Sequence, residues 1–298
     1  MRGRGACSWV VGLGFLAAAG GDARAAGPEP LSPPVELRHD VRVDGAVTAG
    51  LAASAITVML VQDELQPGKC RWCDGSKPSD LNGFDDWFRT ALRRPDPGPA
   101  SAVSNVLAFG LAPVSLGALL VLSSVVDHRD EGILPDLLIA AQGAISATLA
   151  TEVLKPIIVR PRPFAHAIED DEARREQYAV PESMRSFPSG HTTAVFGVAS
   201  AMGTVASMRG YRLAPLIWAT GIMFGVATAY TRIAADKHYM TDTLGGATIG
   251  VVIGGGVPLL FHPPTTNEPS ASMRFLRSAN VSTTPVAGGR IVNVGWIF

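Results

Sequence analysis

Six apolar stretches fill most of the middle of the chain. Each contains few or no charged residues, and most are close to the roughly 20 residues that a helix needs to cross a bilayer. The stretches are 46–61, 101–126, 134–154, 192–208, 213–231 and 244–261. A helix that is apolar on all sides is buried by protein or by lipid, and periodicity does not separate the two cases. The uncharged run 103–126 favours a membrane.

The residue types in these stretches indicate closely packed helices. Ala, Gly, Ser and Thr are frequent, and small residues let helix backbones approach one another. Gly246, Gly250 and Gly254 are spaced four apart and therefore share one helix face. The pattern predicts an all-α fold built on a six-helix bundle. The net charge of −1 gives no basic footprint, so we expect no nucleic-acid partner.

The two ends of the chain show a strand-like pattern instead. Residues 35–43 alternate apolar and polar positions with a period of two. Near the other end, 279–286 and 290–298 flank Gly288 and Gly289, which predicts a β-hairpin. Because two strands alone are marginally stable in water, we expect 35–43 to join them in a small sheet.

The first 25 residues resemble a secretory signal. Arg2 and Arg4 precede the apolar run 9–19, and Ala23 and Ala25 form a small-x-small cleavage site. An uncleaved membrane anchor is the alternative. The predicted organisation is a signal peptide at 1–25, a lead with a strand at 26–45, the helical domain at 46–262 and a tail with the hairpin at 263–298.

Two cysteines remain once the signal is removed. Cys70 and Cys73 form a C-x-x-C pair, which in an exported protein indicates a local structural disulfide. A redox-active role is the alternative. The sequence contains no second pair to complete a zinc site, so we expect no metal there.

Three cations stand where apolar stretches end. Lys155 ends the third stretch, because Pro156 disfavours helical geometry in the residue before it. Arg162 follows seven residues later, and Arg232 follows the fifth stretch. A guanidinium contacts two phosphate oxygens at once, and lysine adds a mobile charge. The three cations together indicate a bound anion, although any one of them alone is better explained as a solvated or lipid-headgroup-facing charge at a helix end.

The segment Pro188-Ser189-Gly190-His191 precedes the fourth apolar stretch. Backbone N–H groups at a helix start face outward, where the helix dipole favours anions. Gly190 permits close approach of the backbone to a ligand, and the Ser189 hydroxyl adds a donor. His191 is then placed to protonate a leaving oxygen. Four such residues also occur by chance in unrelated loops.

His238 and Asp242 are four apart and share a face if the sixth helix begins there. A carboxylate that orients one ring nitrogen leaves the other free as a nucleophile. A pair that only caps the helix start is the alternative. In an up-and-down bundle, the ends of helices three and five and the starts of helices four and six lie together. The three segments are therefore predicted to form one pocket.

These motifs together resemble the type 2 phosphatidic acid phosphatase (PAP2) superfamily, which includes vanadium haloperoxidases. The pattern K-x6-R-P, P-S-G-H and [ST]-R-x5-H-x3-D is met by Lys155, Arg162, Pro163, the segment 188–191, Thr231, Arg232, His238 and Asp242. Thr231 stands where the family usually has serine. Arg160 is a second arginine in the first motif, but Arg162 has the family spacing from Lys155.

The resemblance implies a six-helix PAP2-type bundle over 46–262 and a mechanism without metal or cofactor. His238 attacks phosphorus to form a phosphohistidine, Asp242 orients His238, and His191 protonates the leaving alcohol and then activates water. The phosphate-binding residues it implies are Lys155, Arg162, Ser189, Gly190 and Arg232. Vanadate is expected to inhibit as a phosphate mimic.

The expected function is hydrolysis of a lipid phosphate monoester or pyrophosphate, such as phosphatidate, phosphatidylglycerol phosphate or a polyprenyl pyrophosphate. We expect a bundle embedded in a bacterial-type inner membrane with its site facing the periplasm. A soluble periplasmic acid phosphatase, a vanadate-dependent haloperoxidase and a scaffold with a decayed site stay open as alternatives. The sequence does not indicate the oligomeric state.

Sidedness raises a difficulty. A cleaved signal followed by six crossings would put the pocket on the cytoplasmic side. Three explanations would avoid this: an uncleaved signal that folds differently, one apolar stretch that does not cross, or a bundle that is not threaded through the bilayer. The short stretch 46–61 is the candidate that does not cross, and a disulfide at 70–73 indicates that its loop lies outside.

Overall fold

The computed structural model of the chain describes residues 10–13, 35–66, 70–74, 77–265, 279–286 and 289–296. The α-helices are α1 Val41–Leu65, α2 Gly83–Leu92, α3 Gly98–Val106, α4 Ala112–Val126, α5 Ile133–Ile158, α6 Pro163–His166, α7 Asp171–Tyr178, α8 Gly190–Arg209, α9 Ala214–Ala234 and α10 Met240–Phe261. A π-helical turn, Leu107–Leu111, joins α3 to α4. The strands are β1 Val10–Leu13, β2 Ala279–Val286 and β3 Gly289–Trp296.

Helix α8 lies at the centre of the bundle. It packs against α5, α9 and α10, and most of its residues are buried. Helix α1 packs on α5, and the α3–α4 rod packs on α8 and α9. The first motif therefore lies at the end of α5, the second motif begins α8 itself, and the third motif connects α9 to α10.

Glycines set the close approach of α10 to α8. A Cβ atom added at Gly246 would lie 2.6 Å from the carbonyl oxygen of Ser189. At Gly250 it would lie 2.8 Å from the backbone nitrogen of Gly197, and at Gly254 it would lie 2.5 Å from the Gly197 oxygen. Side chains at these positions would separate the helices. The glycine face thus holds the start of α10 against the start of α8, where two of the motifs lie.

Alternating helix directions bring four helix ends to one side of the bundle. The Ser189 N–H, at the start of α8, donates to the Asp242 carbonyl oxygen in the first turn of α10 at 3.0 Å. Arg160, just beyond the end of α5, donates to the Asp242 carboxylate at 2.6 Å. The end of α9 leads directly into α10 through the residues 235–239. We call this side the motif end of the bundle.

Five helical segments in the described part of the chain are long and apolar enough to cross a membrane. They are Val41–Leu65, Gly98–Val126, Asp130–Ile158, Ala214–Ala234 and Met240–Phe261. Their outer faces expose large apolar side chains; Leu60 is 78% and Leu260 76% exposed. Such an apolar exterior is typical of a membrane protein. The stretch 46–61, expected to be too short to cross, is part of the 25-residue helix α1.

The predicted strand at 35–43 is wrong. Helix α1 already begins at Val41, because the Asp40 side chain accepts hydrogen bonds from the N–H groups of Arg42 and Val43 and caps the helix. Before the cap, Leu37 forms an isolated bridge with Pro264. The lead therefore pairs with the chain just after α10 and does not join the terminal strands.

The terminal strands pair among themselves through their backbones. Strand β2 runs antiparallel to β3, and β1 runs parallel to β3, in the order β1-β3-β2. The predicted signal peptide, 1–25, lies outside the described residues except for β1.

Candidate active site

Lys155 and Gly190 lie against each other at the motif end. The Lys155 Nζ donates to Glu152 Oε1 at 2.6 Å. A Cβ atom at position 190 would lie 3.0 Å from that Nζ. Glycine at this point of the second motif therefore leaves room for the ammonium of the first motif. Glu152, one turn earlier in α5, was not identified from the sequence.

The two motif arginines are buried with unused hydrogen-bonding capacity. Arg162 lies 3.5 Å from Glu182, and Arg232 donates to the Ser104 hydroxyl at 3.1 Å. Among the described residues, the Nε atoms of both arginines have no hydrogen-bond partner. A buried donor without a partner is costly, and a charged one more so. The two guanidinium groups are therefore suited to an anion that accepts from both.

His238 is oriented by a backbone carbonyl. Its Nδ1 donates to the Ser186 carbonyl oxygen at 2.7 Å, which leaves Nε2 without a proton and able to attack. Asp242 Oδ2 lies 3.9 Å from the same Nδ1, too far for a hydrogen bond. The expectation that Asp242 holds the ring directly is thus corrected. The direct partner is Ser186, which precedes the second motif by two residues.

Asp242 acts on His238 through its neighbours. Its Oδ2 accepts from the Ser186 hydroxyl at 2.5 Å and from the Tyr239 N–H at 2.8 Å. Its Oδ1 accepts from Arg160 at 2.6 Å. The carboxylate therefore fixes the residue whose carbonyl orients His238, and its charge stays within electrostatic reach of the ring.

Arg160 is a residue of the site, although the motif spacing selected Arg162 in its place. Its side chain is 0% exposed, and its guanidinium also donates to Thr241 at 2.7 Å. The group lies between the rings of Trp72, at 4.3 Å, and Tyr239, at 4.2 Å. It is therefore a fully engaged cation, unlike Arg162 and Arg232, and it supports the site without facing a ligand.

His191 lies at the edge of the same site. Its Nε2 donates to Asn105 Oδ1 at 2.7 Å, and the edge of its ring contacts Phe109 at a centroid distance of 4.9 Å. Both partners come from the α3–α4 rod. Asn105 is the one amide side chain in the stretch 101–126, whose other polar residues are serines, and that is the sequence signal that could have identified it.

Ser189 is fully buried, and both its hydroxyl and its N–H form hydrogen bonds within the protein. The hydroxyl contacts the Thr192 hydroxyl at 2.9 Å, and its N–H donates to the Asp242 carbonyl. The expectation that this N–H points at an anion is wrong for Ser189, because the N–H joins α8 to α10.

His238 lies within electrostatic reach of three other motif residues. Burial first, and then the charges of Arg232 and Arg162 and the neighbouring His191, hold the pKa of His238 well below its ordinary value of 6.5. His238 is therefore neutral at pH 6.5 and above. A neutral imidazole beside buried cations is a nucleophile that a phosphate can approach.

The Cys70–Cys73 pair forms a disulfide, with 5.5 Å between the two Cα atoms. We call the residues 70–74 the disulfide loop. The loop lies against the end of α5, where the Arg71 N–H donates to the Val159 carbonyl oxygen at 3.1 Å. It is thus at the motif end of the bundle.

Comparison with known proteins finds similarity to one protein family. Residues 136–265 match the model of the PAP2 superfamily, which confirms the resemblance drawn from the motifs. The matched segment contains every motif residue from Lys155 to Asp242. The motif residues therefore lie in the part of the chain that is similar to the PAP2 superfamily.

Two similar proteins come from Bacillus subtilis. Undecaprenyl-diphosphatase BcrC of strain 168 is 28% identical over 120 residues, which are 40% of this chain and 54% of that protein. The chain thus spans about half the length of that curated relative. The crystal structure of a transmembrane PAP2 type phosphatidylglycerolphosphate phosphatase is 20% identical, with a TM-score of 0.40, and the match covers 72% of this chain and 93% of that one.

Proposed function

We propose that the protein is a membrane-embedded phosphatase that hydrolyses a phosphate monoester or pyrophosphate of a lipid through a phosphohistidine at His238. One observation carries this proposal: the buried His238, with a free Nε2, lies among Arg162 and Arg232, whose Nε atoms have no partner in the described part of the chain. A tetrahedral phosphate presents oxygens to both arginines while its phosphorus faces the imidazole.

In the first step, His238 Nε2 forms a bond to phosphorus while the bond from phosphorus to the leaving oxygen breaks. Burial, followed by the charges of Arg232, Lys155 and Arg162, holds the pKa of His191 at about 3. The negative phosphate offsets those cations, so His191 takes up a proton and gives it to the leaving oxygen, and the leaving group departs as an alcohol or a lipid phosphate. Lys155, Arg162 and Arg232 hold the remaining oxygens as their charge redistributes.

In the second step, His191 accepts a proton from water as the water oxygen attacks the phosphohistidine. The phosphorus–nitrogen bond breaks, inorganic phosphate leaves, and His238 recovers its lone pair. His191 is again protonated, so the two steps form a closed cycle.

The exterior of the bundle supports a lipid substrate. Five apolar helical segments surround a site that lies at their ends, so the head group of a lipid would reach it without leaving the bilayer. The curated relative is named for undecaprenyl diphosphate, and that lipid is the first substrate we would test. Phosphatidate and phosphatidylglycerol phosphate are the other members of the class.

The disulfide loop supports an orientation with the site on the periplasmic face. Disulfides persist in oxidising compartments, and this one lies against the motif end of the bundle. Loop and site would therefore face the same compartment.

Purified protein in detergent tests the function directly. We expect release of inorganic phosphate from at least one of the three lipids, inhibition by vanadate, and no turnover in His238→Ala. His128→Ala is the matched control, because His128 is exposed and lies at the opposite end of the bundle. Phosphate release by His238→Ala at the wild-type rate would overturn the proposal.

A further inference from the structure

Arg160 holds three carboxylates from distant parts of the chain. Its guanidinium donates to Asp74 at 2.6 Å, to Asp85 at 2.8 Å and to Asp242 at 2.6 Å. Inside a protein, such a charged network stabilises one arrangement only if every member keeps its partners. The direction in which the guanidinium points, and hence the position of Asp242, depends on the other two carboxylates.

The disulfide loop contributes two of the contacts that fix Arg160. Asp74 pairs with the Nε of Arg160, and the ring of Trp72 covers one face of the guanidinium at 4.3 Å. Trp72 and Asp74 also hold each other, because the indole Nε1 donates to Asp74 Oδ1 at 3.1 Å. The loop therefore presents a carboxylate and an aromatic face as one unit.

The backbone of the loop is fixed to the end of α5. The Trp72 N–H shares the Val159 carbonyl with Arg71, at 3.5 Å and 3.1 Å respectively, and the Arg71 side chain donates to the Ile157 carbonyl at 2.9 Å. Val159 ends α5 in the left-handed conformation, with φ 46°, and Arg160 follows it. The loop thus closes over the turn that directs Arg160 into the site.

The same loop reaches the second motif. The rings of Trp72 and Phe187 contact at a centroid distance of 5.2 Å. Phe187 follows Ser186, whose carbonyl orients His238. The loop therefore touches both supports of His238, the Asp242 side through Arg160 and the Ser186 side through Phe187.

We propose that the disulfide loop is a positioning element of the catalytic centre, which acts through Arg160 on Asp242 and so on the orientation of His238. The PAP2 match begins at residue 136, so this element lies outside the matched segment. The inference rests on the proposed phosphatase function. It implies that the loop raises kcat without contacting substrate, and that reduction of its disulfide lowers kcat.

The first test removes the contact between Asp74 and Arg160. In Asp74→Asn we expect kcat to fall about tenfold, the lower end of what losing an orienting partner costs at other sites, while KM stays within about twofold. Asp74→Glu keeps the charge and should recover most of the loss. The control is Asp86→Asn, because Asp86 is exposed on α2 whereas its neighbour Asp85 is buried against Arg160.

The contact between Trp72 and Arg160 is tested by a separate variant with its own control. Trp72→Ala should lower kcat in the same way, and Trp87→Ala should not, since Trp87 is 64% exposed on α2. A loop with a merely structural role would lower the amount of folded protein but leave kcat per folded molecule unchanged. Activity is therefore normalised to the monodisperse fraction in each preparation.

The disulfide is tested with a phosphine reductant. We expect the reductant to lower the kcat of the wild type, and to leave unchanged the already lowered kcat of the double variant Cys70→Ser, Cys73→Ser. If the wild type is active and both the loop variants and the reductant leave kcat unaltered, the inference is wrong and the phosphatase function stands. If the wild type and Asp86→Asn both hydrolyse none of the lipids, the phosphatase function itself fails and the inference falls with it.

Discussion

At the scale of single residues, the site depends on the contrast between engaged and unengaged arginines. Arg160 is saturated by carboxylates, whereas Arg162 and Arg232 each retain a buried Nε without a partner in the described residues. A fully paired cation positions its neighbours, and a partly paired one is free to hold an anion. Arg160 is therefore suited to a structural role, and Arg162 and Arg232 are suited to the proposed binding of phosphate.

The motif residues could be predicted from the sequence, but their supports could not. Lys155, His191 and His238 stand at spacings that a sequence search detects. Asp74 lies 86 positions from Arg160, and Asp85 lies 75 positions from it. No local sequence pattern predicts an ion pair between residues so far apart, because the pair forms only when folding brings the segments together.

The depressed pKa of His238 gives a pH prediction. A protonated imidazole cannot attack. Burial and the nearby Arg232 and Arg162 disfavour the charged form of His238, so its pKa is below 6.5 and the ring becomes protonated only at a lower pH. The acid limb of kcat/KM, corrected for the ionisation of the substrate, should therefore have its midpoint below pH 6.5. A midpoint at or above 6.5, as for an ordinary exposed histidine, would contradict the assignment of His238 as the nucleophile.

At the scale of elements, hydrophobic length predicted where helices form, and capping decided where they begin. The alternation at 35–43 is a genuine strand pattern, yet the Asp40 side chain starts α1 inside it. Helix α8 has the length of a membrane span, but its hydropathy does not place it among the candidate membrane spans. Its Gly, Ser and Thr residues lower its hydropathy and serve the contacts with α5 and α10.

The glycine face of α10 makes a prediction about stability. Gly250→Ala places a methyl group 2.8 Å from the backbone of α8, so the helices must separate. Overpacking of this kind costs about 1–3 kcal/mol. We expect a lower thermal midpoint in detergent, with reduced activity because the starts of α8 and α10 shift apart.

Gly256→Ala is the matched control for this change, because a Cβ at position 256 meets nothing within 4 Å. It should leave the midpoint unchanged or raise it slightly, since alanine favours a helix more than glycine does. An equal decrease of the thermal midpoint in both variants would show that helix flexibility, and not the contact with α8, explains the effect.

At the scale of the whole molecule, the bundle separates two polar ends by an apolar middle. The motif end contains the disulfide loop, α2 and the residues proposed to be catalytic. The opposite end contains a buried cluster of three residues, in which Arg209 donates to Asp136 at 2.7 Å and the Tyr211 hydroxyl donates to the same carboxylate at 2.6 Å. The sequence predicted the convergence of the motifs at one end, but left open which side of a membrane that end faces.

Sidedness can be measured by labelling single cysteines in intact cells. In a Cys7→Ser background, Glu172→Cys places a thiol on α7 at the motif end, and Glu131→Cys places one at the start of α5 at the other end. A membrane-impermeant maleimide should label position 172 from the periplasm and position 131 only after lysis. The reverse result would put the site in the cytoplasm and contradict the orientation inferred from the disulfide.

The central claim is that phosphate passes through His238 at a site where His191 assists both steps. Its most direct test is to quench the reaction of His191→Ala with a ³²P-labelled lipid substrate in alkali and to map the labelled peptide. With a lipid pyrophosphate labelled in its terminal phosphate, the leaving lipid phosphate departs without a proton from His191, so the removal of His191 slows mainly the attack of water. An alkali-stable, acid-labile phosphoryl group should then accumulate on the peptide that contains His238. Label on another residue, or steady hydrolysis by this variant with no labelled protein at any time, would contradict the account.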